Sequence, residues 1–244
     1  MDNCLVFITH DVSLGISNYL NYIASEIKGI MDFIVLYDNS KCSINQERYS
    51  NILFFQFNSS NINNFFHRGD KRLPNPLIPL LDLAKTYKYK HYLIMENDII
   101  LKGSFKEFVQ RISSIDSVDY IHIAKDYEGD SFSHWPINFI EHFKYAKIYF
   151  SWCQIFYCSY NFLSCIRDEF KKNESVYYEF LLPSIAYNLN FSVKQFENYG
   201  YDFHISWGPK ELYESLFRLE NCRNTFYHPI KQLDGIDFNS LRYY

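Results

Sequence analysis

The feature that most constrains the fold of this chain is a strand, helix, strand pattern within its first 38 residues. The apolar runs CLVFIT (4–9) and MDFIVLYD (31–38) have the length and content of strands that are buried on both faces. Between them, the spacing of apolar residues predicts a helix from Ser13 to about Lys28. Such a unit requires parallel strands joined by a right-handed crossover, so the sequence predicts an α/β fold.

Strands and helices continue to alternate along the chain, without an internal repeat or a domain linker. Residues 58–75 are predicted to form one long loop, and residues 149–159 are predicted to form one strand. We therefore predict a single domain over residues 1–244, with a mostly parallel central sheet flanked by helices. The other predicted strands lie at 52–57, 92–95, 99–101, 119–124 and 191–196, and the other helices at 76–87, 105–112, 160–171, 177–188 and 209–219.

Composition excludes several classes of function. The net charge of −4 argues against a dedicated nucleic-acid-binding protein, and a hydrophobic content of 48% argues against disorder. The six cysteines include no CxxC pair, so we predict neither a zinc site nor a disulfide framework, and we interpret Cys4 and Cys153 as buried thiols. No P-loop, GxGxxG, HExxH or GxSxG motif is present.

The sequence also indicates a compartment. No window of 18 apolar residues occurs, and Asp2 stands where a signal peptide would carry a basic residue. We therefore predict a cytoplasmic protein. Peripheral contact with the inner face of the membrane stays open, because exposed aromatic and lysine side chains can bind a lipid surface.

The segment with the most chemical information is YLIMENDIILKGSF (92–105), in which two acids follow a buried strand. Alternation along an extended chain predicts that Glu96 and Asp98 point to the same side at the carboxyl end of this strand. Ligands of open α/β sheets bind at that edge, and oxygen ligands suit Mg²⁺ or Mn²⁺, which can hold a diphosphate. The alternative interpretation is an acidic turn between two strands.

This segment resembles the DxD segment of GT-A fold glycosyltransferases, in the variant whose first acid is Glu. The resemblance covers about residues 1–125 in architecture and is specific over 91–105. It implies a GT-A-like domain with a nucleotide-sugar-binding half at 1–125 and an acceptor-binding half at 126–244. The implied reaction is the transfer of a sugar from a nucleotide diphosphate sugar, with UDP-sugar and inversion favoured. The implied cofactor is Mn²⁺ or Mg²⁺, and the implied acceptor is a bacterial surface glycan or a lipid-linked saccharide.

The resemblance also implies roles for further residues. In many such enzymes a histidine near the C-terminus joins the cation site, and here His228 in FYHPIK occupies that place. Lys231 is then a candidate phosphate ligand, although a packing histidine and a solvated lysine are the alternatives. Candidate donor-binding residues at strand ends and in the long loop are Thr9, His10, Asp11, Asp38, Asn97, His67, Arg68, Lys71 and Arg72. For Asp11, the alternative is a helix cap.

Glu179 in VYYEFLLPS is the candidate catalytic base. It is an isolated acid in an apolar, aromatic stretch, where burial raises a carboxyl pKa towards a useful value. A capping or paired acid is the alternative, and three acids of the loop after the fifth strand are rivals: Asp126, Glu128 and Asp130. Trp135, Trp152 and Trp207 are candidates for stacking on sugar faces or, alternatively, for filling the core.

Two other functions stay open. The first is another metal enzyme of nucleotide sugars, such as a nucleotidyltransferase or a phosphohydrolase. A nucleotidyltransferase usually has a glycine-rich basic loop after its first strand, and THDVSLG (9–15) lacks the basic residue. The second is a non-catalytic carbohydrate-binding protein on the same fold.

Overall fold

The computed structural model describes residues 1–49, 51–63, 65–68, 71–123, 127–128, 145, 147–170, 176–205 and 210–243. The strands are β1 (Asn3–Thr9), β2 (Asp32–Asp38), β3 (Leu53–Phe57), β4 (Phe65–Arg68), β5 (Lys71–Pro74), β6 (His91–Glu96), β7 (Ile100–Lys102), β8 (Tyr120–His122), β9 (Tyr127–Glu128), β10 (Tyr149–Phe150), β11 (Ile155–Ser159), β12 (Val193–Gln195), β13 (Asp202–Ile205) and β14 (Thr225–His228). The α-helices are α1 (Leu14–Ile27), α2 (Leu77–Thr86), α3 (Phe105–Ser113), α4 (Tyr160–Phe170), α5 (Tyr178–Asn188) and α6 (Lys210–Leu219).

The main sheet has seven strands in the order β12-β8-β11-β6-β1-β2-β3. Strands β6, β1, β2 and β3 are parallel, and β12 is parallel to β8, whereas β11 lies antiparallel between β6 and β8. The predicted α/β fold with a mostly parallel central sheet flanked by helices is therefore confirmed. The first unit is also confirmed, since α1 joins the adjacent parallel strands β1 and β2.

Each face of the main sheet is covered by its own apolar cluster. Leu5 and Phe7 face a cluster that includes residues of α1 and α3, while Val6 and Ile34 face a cluster that includes residues of α2, α4 and α5. Successive strand residues alternate between these two faces and are buried on both. This is why the central strands appear in the sequence as continuous apolar runs.

The register of the parallel strands brings three polar side chains to one edge of the sheet. Ile8 pairs with Glu96, and Thr9 pairs with Tyr37, the residue before Asp38. The carboxyl ends of β1, β2 and β6 therefore meet at the same edge, which positions Thr9, Asp38 and Glu96 around one surface.

A second sheet returns the C-terminal part of the chain to that edge. Its order is β13-β14-β7, with β14 parallel to β13 and antiparallel to β7. Tyr227 of β14 pairs with Ile100 of β7, which begins just after the turn that follows Glu96. Because of this pairing, His228 at the end of β14 lies beside the turn between β6 and β7.

The segment after β14 then crosses α1. Phe238 stacks on Tyr19 of α1, with ring centroids 4.8 Å apart. A Cβ atom at Gly15 would lie 2.7 Å from Leu233 Cβ and 2.9 Å from Asp234 N, so only glycine permits this close approach.

The prediction of one long loop at 58–75 is wrong. Strands β4 and β5 form an antiparallel hairpin within it. The two residues between these strands in the sequence are Gly and Asp, a pair typical of two-residue hairpin connections.

The prediction of one strand at 149–159 is also wrong, because residues 151–154 interrupt it between β10 and β11. Two backbone groups of the interruption bond to other parts of the chain. Ser151 N donates to Glu179 O at 3.0 Å, and Gln154 O accepts from Glu96 N at 2.9 Å. These contacts connect the interruption to both β6 and α5.

The structure also bears on the cysteines and on membrane crossing. Cys4 and Cys153 are buried free thiols, as predicted. Among the helices that the structure describes, none combines the length and the apolar character needed to cross a membrane.

Candidate metal and nucleotide site

Glu96, Asp98 and His228 meet at the carboxyl edge of the main sheet. Each offers one ligand atom, and these atoms lie within 4.8 Å of one another. His228 Nε2 is 3.2 Å from Asp98 Oδ1 and 3.6 Å from Glu96 Oε2. The expected alternation along an extended strand is wrong, however. Glu96 ends β6, and Asn97 and Asp98 form a turn that brings the two carboxylates to the same imidazole.

The side chain of Asp98 is only 5% exposed and has two cationic partners. Its Oδ1 faces His228, and its Oδ2 accepts from Lys231 Nζ. Burial by itself raises the pKa of Asp98, but His228 and Lys231 outweigh burial and lower this pKa to about 2. Asp98 is therefore an ionised carboxylate at neutral pH. Its main chain is held as well, since Ile230 N donates to Asp98 O at 2.8 Å.

His228 contacts both carboxylates through one ring nitrogen, Nε2. Burial lowers the pKa of His228, but hydrogen bonds and charge from Asp98 and Glu96 outweigh it and raise this pKa to about 9. Its Nδ1 atom is buried and has no hydrogen-bond partner among the described residues. The carboxylate contacts of this histidine are therefore made through Nε2.

The donor set fits a divalent cation. Carboxylate oxygens suit Mg²⁺ and Mn²⁺, and an imidazole nitrogen favours Mn²⁺ of the two. Two neighbouring carboxylates need compensating positive charge, which His228 and Lys231 supply in this arrangement. Glu96, Asp98 and His228 are the residues that would hold the cation, and a bound cation would supply positive charge to a diphosphate.

A cleft of about 280 Å³ is lined by Glu96 and Asp98, two of these three residues. An adjoining cleft of about 400 Å³ shares part of its wall. Both are lined by His10, Asn97, Asp98 and Lys231. Thr9, Asp38 and Glu96 line the first cleft, and Asp11 lines the second. The structure thus brings together the strand-end residues predicted as donor ligands, together with Lys231.

The side chains of Thr9 and Asp11 shape the loop between β1 and α1. Thr9 Oγ1 accepts from Asp11 N at 3.0 Å, and the Asp11 carboxylate accepts from Ser13 N and Ser13 Oγ, both at 2.9 Å. Ser13 is the N-cap of α1 and accepts from Ile16 N. Asp11 therefore orders the loop ahead of the helix rather than capping the helix itself.

Asp38 presents a negative charge at the end of β2. Its Oδ1 accepts from Ser40 N at 3.0 Å and from Ser59 N at 3.1 Å. Burial by itself raises the pKa of Asp38, but hydrogen bonds from Ser59 and Ser40 outweigh it and lower this pKa. The cleft consequently has an anionic acceptor at the end of β2, which is separated from β6 and its Glu96 by β1 alone.

Asn75 is a cleft residue that the sequence analysis missed. It is fully buried, and its Oδ1 accepts from Leu77 N at 3.1 Å, just before α2. Asn75 lines the same cleft as Asp38, and its Nδ2 is buried without a hydrogen-bond partner among the described residues. A buried donor without a partner is costly unless a ligand or water satisfies it. A polar residue between two prolines at a helix start was the signal that could have identified it.

Glu179, the candidate base, is not brought to either cleft. It is fully buried, and its Oε1 accepts from Gln154 Nε2 at 2.9 Å. Burial raises the pKa of Glu179 to about 8, as the sequence pattern predicted in direction. A general base must contact the hydroxyl that it deprotonates, and this carboxyl group has no opening to the cleft.

Several other candidates cannot be placed at the site. Asp126, Asp130, Trp135 and Trp207 lie outside the described residues. For Glu128, His67, Arg68, Lys71 and Arg72 the structure describes the strand backbone but not the side chain. Trp152 is partly buried and packs edge-on against Phe150, with ring centroids 5.2 Å apart. This contact supports the core-filling interpretation of Trp152.

No protein-family model and no curated protein matches this sequence. Among solved structures, the chain is similar to an active-site mutant of LgtC, with a TM-score of 0.48 and 12% identity over 98% of this chain and 93% of that chain. It is also similar to the galactosyltransferase LgtC in complex with donor and acceptor sugar analogs, with a TM-score of 0.44 and 14% identity over 79% and 72% of the two chains. A cytidylyltransferase from Leptospira borgpetersenii matches with a TM-score of 0.43 and 10% identity over 80% of this chain and 75% of that chain. At low identity, the chain is thus similar in structure both to a glycosyltransferase and to a nucleotidyltransferase.

Proposed function

We propose that this protein is a metal-dependent glycosyltransferase that moves a sugar from a nucleotide diphosphate sugar to a glycan or glycolipid acceptor. The observation that carries the proposal is the convergence of Glu96, Asp98 and His228 beside a cleft that also holds Asp38 and Lys231. These residues supply the two things that a nucleotide diphosphate donor needs, a cationic diphosphate site and a polar nucleoside site.

We place the diphosphate of the donor next to the three candidate metal ligands, Glu96, Asp98 and His228. The developing charge of a diphosphate leaving group is the main electrostatic demand of the reaction. Lys231 is half exposed at the cleft, with its ammonium group next to Asp98, so it is available to a phosphate oxygen. Glu96, Asp98 and His228 would hold the cation that supplies the remaining positive charge.

The nucleoside end belongs near Asp38 and Asn75. An anionic acceptor and an unsatisfied amide donor line the same cleft, together with the apolar side chains of Phe57 and Ile62. Uracil presents a ring N–H between two carbonyl oxygens, so it can donate to a carboxylate and accept from an amide. Cytosine presents an unprotonated ring nitrogen at the corresponding position, which a carboxylate would repel. This pattern argues against a cytidine donor. Guanine also presents a ring N–H beside a carbonyl oxygen, so we propose a UDP-sugar as the donor and include GDP in the test below.

We assign donor binding and stabilisation of the leaving group to described residues, but we assign the catalytic base to none of them. Inversion at the anomeric carbon requires a carboxylate beside the acceptor hydroxyl. Glu179 does not meet this requirement, because it is buried away from both clefts. We therefore do not assign the base to Glu179.

A thermal-shift screen tests donor binding. The protein is heated with UDP, GDP, CMP and their sugars, each with and without Mn²⁺. We expect UDP and UDP-sugars to raise the melting temperature in the presence of Mn²⁺, because a ligand that binds only the folded state stabilises it by mass action. The variants Asp98→Asn and His228→Ala should lose this shift. His204→Ala is the matched control, since His204 lies on the neighbouring strand β13 and pairs with Glu220 instead.

A turnover assay then separates the three classes of function. Release of UDP from a UDP-sugar, dependent on Mn²⁺ and lost in Asp98→Asn, supports a glycosyltransferase. Formation of pyrophosphate from a nucleoside triphosphate and a sugar phosphate would instead identify a nucleotidyltransferase. Binding of a nucleotide sugar without either reaction would favour a non-catalytic protein, and the absence of any nucleotide-dependent shift would contradict the proposed site.

A further inference from the structure

Glu96 differs from Asp98 in how its carboxylate is held. It lies at the end of β6, its side chain is 31% exposed, and its Oε2 is 3.6 Å from His228 Nε2. Its other oxygen, Oε1, accepts a hydrogen bond from the hydroxyl of Tyr178 at 3.2 Å. The two carboxylate oxygens of Glu96 therefore have different partners, one at the candidate cation site and one on α5.

Tyr178 has a fixed position because it is buried and lies in an anchored helix turn. It is the first residue of α5 and is buried, with 7% of its surface exposed. The next residue, Glu179, accepts from Gln154 Nε2 through its side chain and from Ser151 N through its backbone. The first turn of α5 is thus attached to residues 151–154 through both the side chain and the backbone of Glu179.

The same interruption holds the backbone of Glu96. Gln154 O accepts from Glu96 N at 2.9 Å. A closed ring of contacts therefore runs from the Glu96 backbone to Gln154, from Gln154 to Glu179, and from Tyr178 back to the Glu96 carboxylate. Such a ring fixes both the backbone and the carboxylate orientation of Glu96.

From this ring we infer that Tyr178 is a positioning residue, which holds Oε1 of Glu96 and so leaves Oε2 as the single ligand atom directed at the cation site. This inference rests on the proposed function, because it concerns the same candidate cation. It also gives buried Glu179 a role as an anchor for the helix turn that presents Tyr178. A group that hydrogen-bonds to a metal ligand and orients it typically changes metal affinity by about 10- to 100-fold when it is removed.

The experiment is an isothermal titration of the nucleotide-free protein with MnCl₂, combined with the melting temperature of each variant in EDTA. Tyr178→Phe removes one oxygen atom and is expected to weaken Mn²⁺ binding by about 10-fold. Tyr157→Phe is the matched control, because Tyr157 is also buried and its hydroxyl has no hydrogen-bond partner among the described residues. It should leave Mn²⁺ affinity unchanged.

A second variant, Gln154→Met, keeps the tyrosine hydroxyl but releases the anchor of its helix turn, and it is expected to weaken Mn²⁺ binding by a smaller factor. The melting temperature shows which of the two variants, Tyr178→Phe and Gln154→Met, is folded. If a folded variant binds Mn²⁺ as tightly as the wild type does, the positioning role is overturned. Failure of the wild-type protein to bind Mn²⁺ contradicts the proposed metal site instead, so the two failures are distinguishable.

Discussion

His228 Nε2 lies 3.2 Å from Asp98 Oδ1, although His228 ends β14 and Asp98 lies in the turn after β6, in a distant part of the chain. The pairing of β14 with β7 creates this contact, and a backbone hydrogen bond from Ile230 N to Asp98 O reinforces it. The candidate cation site is consequently built on the junction between the main sheet and the smaller one. A change at this junction should affect both stability and ligand binding.

Lys231 should compete with a cation for Asp98. Its ammonium group contacts Asp98 Oδ2, so Lys231→Met is expected to raise the affinity of the nucleotide-free protein for Mn²⁺ several-fold. The same variant should weaken UDP binding in saturating Mn²⁺ by about 10-fold, because one charged partner of the diphosphate is lost. Both constants are measured by calorimetry. Lys106→Met, at an exposed position of α3, is the control, and weaker Mn²⁺ binding by Lys231→Met would contradict the competition.

Glu179 should make the stability of the protein depend on pH. Its pKa is raised from 4.5 in the unfolded chain to about 8 in the fold, so between these values the folded state holds a proton that the unfolded state has released. The stability of the wild type should therefore decrease as pH rises through this window, with a limiting slope of about 1.4 kcal/mol per pH unit.

Glu179→Gln removes this titration and can keep the hydrogen bond from Gln154. The wild type should lose stability from pH 5 to pH 8 through this titration, whereas Glu179→Gln should not. The difference in the free energy of unfolding, variant minus wild type, should therefore be larger at pH 8 than at pH 5, a range that lies between the two pKa values. Urea denaturation at both pH values measures the difference, with the exposed Glu211→Gln as control. Parallel pH profiles for the wild type and Glu179→Gln would contradict the assignment.

Gly15→Ala should destabilise the protein, against the usual trend for helices. Alanine in a helix interior is normally more stable than glycine by about 1 kcal/mol. At this position, however, the new Cβ would lie 2.7 Å from Leu233 Cβ and 2.9 Å from the backbone of Asp234. We expect a loss of about 1 to 3 kcal/mol, measured by urea denaturation. Asn18→Ala, at an exposed position of the same helix, should be neutral or stabilising.

Arg242 should contribute through its contact with a buried acid. Glu26 is only 6% exposed at its side chain, and Arg242 Nη2 pairs with Glu26 Oε1 while lying over the ring of Tyr22. Removal of the cation in Arg242→Ala leaves that carboxylate buried without its charged partner. We expect a loss of about 2 kcal/mol in the free energy of unfolding, because Arg242 is itself partly exposed.

A double variant, Glu26→Gln with Arg242→Gln, should recover part of this loss, since no unpaired charge stays buried. Equal destabilisation by the single and double variants would show that packing of the arginine, not charge, is responsible.

Much of the candidate site could be predicted because its residues sit at the ends of recognisable elements. A buried strand that ends in an acid places that acid at the edge of a parallel sheet where ligands generally bind, and the strand register confirms that Asp38 and Glu96 lie at this edge. Asp98 was correctly grouped with Glu96, but a turn and not strand alternation explains their proximity. The hairpin of β4 and β5 was missed because polar, glycine and proline signals were interpreted as loop.

The sequence by itself determined the strand, helix, strand beginning, the parallel arrangement that follows from it and the two acids after β6, because each depends on local periodicity and chain direction. The family resemblance implied that His228 joins Glu96 and Asp98. Only the tertiary structure, however, decided that the Asn75 Nδ2 atom is buried without a partner among the described residues and that Glu179 lines neither cleft. These features depend on which distant segments pack against one another, and burial and hydrogen-bond partners are properties of that packing, not of neighbouring residues in the chain.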